Sequence, residues 1–117
     1  MLNINKVKSV YIAPGATDLR KSINGLSLMI TDSFELDPFS NSLFVFCNRD
    51  RTRLKILHWE FNGFWLYYRR LERGKFNWPQ TVSEVLQVNL SELKWLLEGF
   101  ELRCGKRHQE VKERVII

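Results

Sequence analysis

Cysteine is nearly missing from this chain of 117 residues: the two present, Cys47 and Cys104, stand 57 positions apart, one inside an apolar run and the other in a polar stretch. That arrangement offers neither a disulfide framework nor metal-ligand spacing, so both read as plain thiols. No run approaches the roughly 20 consecutive apolar residues a helical membrane span needs, which excludes such a span. Internal repeats and low-complexity tracts are also lacking. The first residues show no charged segment followed by an apolar stretch and a cleavage site, so nothing marks the chain for export and the expected compartment is the cytoplasm.

What is present suffices for one core. Hydrophobic residues make up 44% of the chain, too many for disorder. At this length a fold buries roughly two thirds of the surface its unfolded chain exposes, so one domain over residues 1–117 is expected, with 101–117 as a flexible or partner-dependent tail. Charge is informative once it is located. Residues 1–46 carry 4 basic and 4 acidic side chains and residues 76–117 carry 6 of each, so the whole net charge of +5 sits in residues 47–75. There, Arg49, Arg51, Arg53, Lys55, Arg69, Arg70, Arg73 and Lys75 outnumber Asp50, Glu60 and Glu72, and are interleaved with Trp59, Phe61, Phe64, Trp65, Tyr67 and Tyr68.

Local pattern predicts the elements. Residues 7–13 favour a strand stopped by Pro14-Gly15. Thr17 as a cap, Asp18 at the positive end of a helix dipole, and Leu19, Ile23, Leu26 and Ile30 at helical spacing predict a helix over 18–31. Residues 33–42 read as a loop, and 43–48, 53–60 and 64–72 as a three-stranded antiparallel meander, with Asn62-Gly63 as its hairpin signal. A short strand near 85–88 precedes a second helix, opened by the capping box of Asn89 and Glu92 and closed by Gly99. The expected fold class is α+β: a single domain with a curved antiparallel β-sheet and two helices.

Three constellations bear on chemistry. Residues 15–22, GATDLRKS, approach the phosphate-loop pattern, but Arg20 stands where its second glycine belongs and the expected helix would consume the loop. The bland alternative is helix capping with Arg20 and Lys21 solvated on the first turn; the remaining one makes these two residues secondary basic contacts to phosphate or protein. Metal-dependent nucleases hold divalent ions with convergent carboxylates, and the spacing of Asp18, Asp32, Asp37, Asp50 and Glu60 shows no convergence. His58-x-Glu60 lacks the cysteine pair of a deaminase, and no nucleophile has a local base. No catalytic residue, metal site or cofactor is therefore assigned. The basic and aromatic meander is the remaining signal: cations pair with phosphates and exposed rings stack unpaired bases. Against this stands an ordinary reading, in which the rings are core and the cations a solvated face.

The strings APGATDLRKSINGL (13–26), ELDPFSNSLFVFCNRDRTRLKILHWEFNGFWLYYRRLERGKFNWP (35–79) and LSELKWLLEGF (90–100) resemble the second open-reading-frame product of the bacterial insertion sequences of family sixty-six. These are the TnpB-type accessory proteins, unrelated to the RNA-guided nucleases sharing that label. The resemblance spans residues 7–100. It implies a small protein encoded beside a separate transposase and needed for efficient transposition, with no catalytic residue or cofactor to carry over. The expected function is thus an accessory DNA-binding factor. Arg49, Arg51, Arg53, Lys55, Arg69, Arg70, Arg73 and Lys75 are its phosphate contacts, and Trp65 and Tyr67 its stacking surfaces. An adaptor docking on the transposase is the second reading and a metal-dependent nuclease the third.

Overall fold

The computed structural model of the protein describes residues 7–80 and 84–99. Its elements are β1 (Ser9–Ile12), α1 (Ile23–Asp32), β2 (Ser42–Cys47), β3 (Arg53–Glu60), β4 (Gly63–Arg70), β5 (Leu86–Val88) and α2 (Leu90–Leu97). The strands form one sheet in the order β4-β3-β2-β1-β5. The α+β class and the two helices agree with expectation, but the sheet is mixed. β1 pairs with β2 in parallel, Val10 opposite Leu43, while every other pairing is antiparallel. Parallel neighbours need a long crossover, and the 29 residues between Ile12 and Ser42, with α1 among them, supply it.

Burial follows from position in that order. Every residue of β2 is buried, because the strand is central and covered on both faces. Phe44 and Phe46 point to one face, where Leu26 and Ile30 of α1 pack on them with Leu57. Leu43, Val45 and Cys47 point to the other, against Leu93 and Leu96 of α2 and against Phe76 and Trp78. Burial pushes the Cys47 thiol up to about 12, so it is inert near neutral pH. The tail from 101 and Cys104 lie outside the described residues.

The hairpin between β3 and β4 forms as expected, but its two central residues are Phe61 and Asn62, both with positive φ (50° and 68°), and Glu60 faces Gly63. The turn signal predicted Asn62-Gly63 at the centre. Cross-strand packing decides the register: Trp59 faces Phe64 with ring centroids 5.0 Å apart, and Leu57 faces Leu66. α2 has the full capping box, Asn89 accepting from the Glu92 amide at 2.8 Å and the Glu92 carboxylate accepting from the Asn89 amide at 2.9 Å.

His58, in β3, is fully buried, and its Nε2 lies 2.6 Å from Asn41 Oδ1. Burial lowers its pKa, opposed in part by the charge of Glu60. The folded protein therefore binds fewer protons here than the unfolded chain, whose histidine titrates near pH 6.5. This contribution is complete above about pH 6.5 and is lost as the pH falls toward the lowered folded value. Thermal melts should show Tm falling from about pH 6.5 to pH 5, with a shallower fall in His58→Gln. Equal slopes in the two proteins would assign the acid sensitivity to another group.

Candidate nucleic-acid interface

The turn joining β2 to β3 is built around Asn48. Its side-chain oxygen accepts from the amides of Thr52 (2.9 Å) and Arg53 (3.0 Å), and its backbone oxygen accepts from the Arg51 amide (3.1 Å). Arg51 takes a left-handed conformation (φ 61°), so the alternation that puts residues two apart on one face does not extend from Arg53 back to Arg49. The Arg51 carbonyl accepts from the Phe76 amide (2.7 Å), and the Thr52 carbonyl from the Leu71 amide (2.8 Å). These bonds join the turn to the segment after β4, so both arginine groups meet at one end of the sheet. In register, Arg53 faces Arg70.

Two like charges directly opposite on a strand pair oppose folding. Glu72 offsets one of them, its carboxylate accepting from Arg70 Nε at 2.7 Å. Arg53, Arg49, Arg69 and Arg73 have no ion pair among the described residues.

The cations divide between the two faces. On the α1 face, Arg49, Arg53 and Lys55 line a cleft of about 690 Å³ together with Arg20, Thr17 and the ring of Tyr68. On the α2 face, Arg69, Arg73 and Lys75 border a hollow with Leu97, Glu98 and Gly99. That is the C-terminal end of α2, whose partial negative charge attracts cations. These three residues thus have a structural reason for their placement that the cleft arginines lack.

Lys55 is committed to the fold. Its ammonium donates to the carbonyls of Leu19 (2.6 Å) and Lys21 (3.0 Å), which fastens the segment between β1 and α1 to the sheet. This also explains why α1 begins at Ile23, after Ser22, instead of at 18. The chain stays extended beside β2, with the Thr17 amide donating to the Cys47 carbonyl at 2.8 Å, and Thr17 is buried instead of capping a helix. Asp18 accepts from the amide and the guanidinium of Arg20, the shortest contact being 2.7 Å, so its carboxyl is held well below the usual carboxylate range. Lys21 is exposed. Residues 15–22 therefore do form a loop, but carbonyls of Leu19 and Lys21 are turned to a cation, the opposite polarity to a phosphate cradle. Gly15 takes φ 74°, and its amide donates to Pro79 at 2.8 Å.

Replacing Lys55 by Met should lower stability by about 1.5–3 kcal/mol, the range for hydrogen bonds to a charged group. Urea denaturation with an unchanged m-value is the appropriate measurement. A variant as stable as the parent would show that the lysine does not clamp the loop.

Trp65 and Tyr67 lie on the α2 side of β4, stacked with centroids 6.2 Å apart. The Trp65 indole donates to Glu60 at 3.3 Å, and the Tyr67 ring packs on the core. Tyr68, unnamed among the stacking candidates, points to the opposite face beside the cleft and is 55% exposed. Strand parity was the signal for it: Tyr68 faces Lys55 and Arg70 faces Arg53.

A mixed sheet with a helix on each face, and at one end arginines without an ion pair among the described residues, defines a small α+β protein. A family model described as "IS66 Orf2 like protein" matches residues 8–107, and the chain belongs to that family, which links it to insertion-sequence transposition. It is 34% identical over 94 residues to "Uncharacterized protein y4hO" of Sinorhizobium fredii (strain NBRC 101917 / NGR234), covering 80% of this chain and 82% of that one. It is 27% identical over 107 residues to "Uncharacterized protein y4jC" of the same strain, covering 92% of each. No solved structure matches the chain.

Proposed function

We propose that this protein is a non-catalytic accessory factor of transposition that contacts DNA through the basic end of its sheet and assists the element's separate transposase. The observation that carries the reading is the placement of Arg53 opposite Arg70, with Arg49 lining the cleft on that face and Arg69 at the same end of the sheet on the other face, three of the four unpaired among the described residues. A fold retains such an arrangement at a cost to stability, and phosphate neutralises it. Family membership supports the transposition context.

A second reading is favoured by a separate observation. At the hairpin end, Phe61 is 86% and Phe39 56% exposed, and Phe39 packs edge-on against Trp59 with centroids 5.0 Å apart. An exposed aromatic group of this kind suits docking on a protein, here the transposase. Titration of labelled terminal-repeat duplex, with and without transposase, separates the two. The DNA-contact reading expects salt-sensitive binding by this protein alone. Retention of the protein on DNA only through the transposase, weakened by Phe61→Ala and untouched by arginine substitution, would establish the adaptor instead.

A further inference from the structure

The cleft on the α1 face differs in kind from the rest of the basic end, because it is concave and has a ring beside its cations. Tyr68 is more than half exposed there, while Arg49 and Arg53 stand nearby without an ion pair among the described residues. Lys55 adds a charge held in place by two carbonyls, which leaves the third N–H of its ammonium free to donate. Arg20 is offset by Asp18, and Asp50 in the same lining opposes one further cation, so Arg49, Arg53 and Lys55 still leave the cleft with an excess of positive charge. Thr17, in the wall of the cleft, has a buried hydroxyl without a hydrogen-bond partner among the described residues.

At about 690 Å³ the cleft falls within the roughly 300–1,000 Å³ that accommodates a small organic molecule, far too little to admit a duplex. A duplex presents phosphates on a convex surface and keeps its base faces stacked inside, so it can meet the outer arginines but cannot lay a base on a ring set in a concavity. A single strand can do both at once, its bases having free faces and its phosphates following at each nucleotide. The loop carbonyls turned to Lys55 remove the amide cradle a free nucleoside triphosphate would need. Cations spaced along the cleft suit phosphates spaced along a strand.

We infer that this cleft binds one or two nucleotides of single-stranded DNA, with a base stacked on Tyr68 and the flanking phosphates on Arg49 and Arg53. The inference rests on the DNA-contact reading and specifies the form of DNA that the α1 face takes.

The probes are a fluorescein-labelled oligothymidylate of about a dozen residues and a labelled duplex of similar length, each titrated by anisotropy at two salt concentrations. The parent should bind the oligothymidylate in a salt-sensitive way. Tyr68→Ala should weaken that binding by about five-fold to a hundred-fold, the range for losing one stacked base, and leave duplex binding unchanged. Tyr68→Phe should retain the affinity, since the ring face and not the hydroxyl does the stacking, and Trp65→Ala, on the other face, should behave as the parent. Tyr68 is exposed, so its variants are expected to fold, and a circular dichroism melt checks this. Salt-sensitive binding of both probes with Tyr68→Ala equal to the parent would overturn the cleft proposal and leave the DNA-contact reading standing. Binding of neither probe would overturn both.

Discussion

Replacing Arg51, Arg53, Arg69 and Arg70 together by alanine should flatten the salt dependence of DNA binding and weaken binding to all sequences alike. If about four cations neutralise phosphates, log affinity falls with log salt at a slope of roughly −3 to −4, which is roughly a hundred-fold between 50 and 200 mM salt. The variant should lose most of that dependence. Phosphate contacts position a protein without reading bases, so no DNA sequence should be spared. Thermal stability should change little, because all but Arg51 are exposed, and loss of the Arg53–Arg70 repulsion offsets loss of the Arg70–Glu72 pair. A folded variant that binds as the parent does would remove the basic end from the account.

Trp78→Ala should be the most destabilising of the substitutions considered, by about 3–5 kcal/mol. The indole is 3% exposed, packs among Val10, Val45 and Phe76, and donates its N–H to the Ala13 carbonyl at 2.9 Å. Alanine would leave a cavity under β1 and strip a buried carbonyl of its donor. The consequence reaches the cleft, since the neighbouring Pro79 carbonyl holds the Gly15 amide and the segment after Gly15 forms the cleft wall. Trp78→Phe keeps most of the volume and loses only the hydrogen bond, so it should cost about 1–3 kcal/mol. Equilibrium urea unfolding of the three proteins measures both. Equal losses in the two variants would assign the effect to the hydrogen bond and not to packing.

The features legible in the sequence are those whose causes are local. The capping box of Asn89 and Glu92 opens α2 as its spacing indicates, and the Asn62-Gly63 signal between 53–60 and 64–72 indicates the hairpin that brings the arginine groups to one end, although β4 stops at Arg70. Features set by distant contacts were not legible. Nothing within 7–13 specifies a parallel partner; that pairing depends on the long crossover through α1, which returns the chain to start β2 beside the start of β1. The start of α1 was misplaced because Thr17 and Asp18 have the chemistry of a helix cap, yet Lys55, 36 residues beyond Leu19, takes the carbonyls the first turn would have used. The division of cations between the faces was within reach: Arg53 and Arg69 have the same parity, which on neighbouring antiparallel strands of this register puts them on opposite faces. Trp65 and Tyr67 face His58 and Ile56, on the α2 side, whereas the cross-strand register puts Tyr68 opposite Lys55, on the face of Arg53.

The claim that the basic end of the sheet is the nucleic-acid interface is tested most directly by mapping backbone amide shifts of the isotope-labelled protein as DNA is added. The account predicts perturbations concentrated in residues 48–53 and 68–73, moving together and reversed by salt. Perturbations centred on Phe39, Phe61 and their neighbours at the hairpin end, or none at saturating DNA, would contradict it.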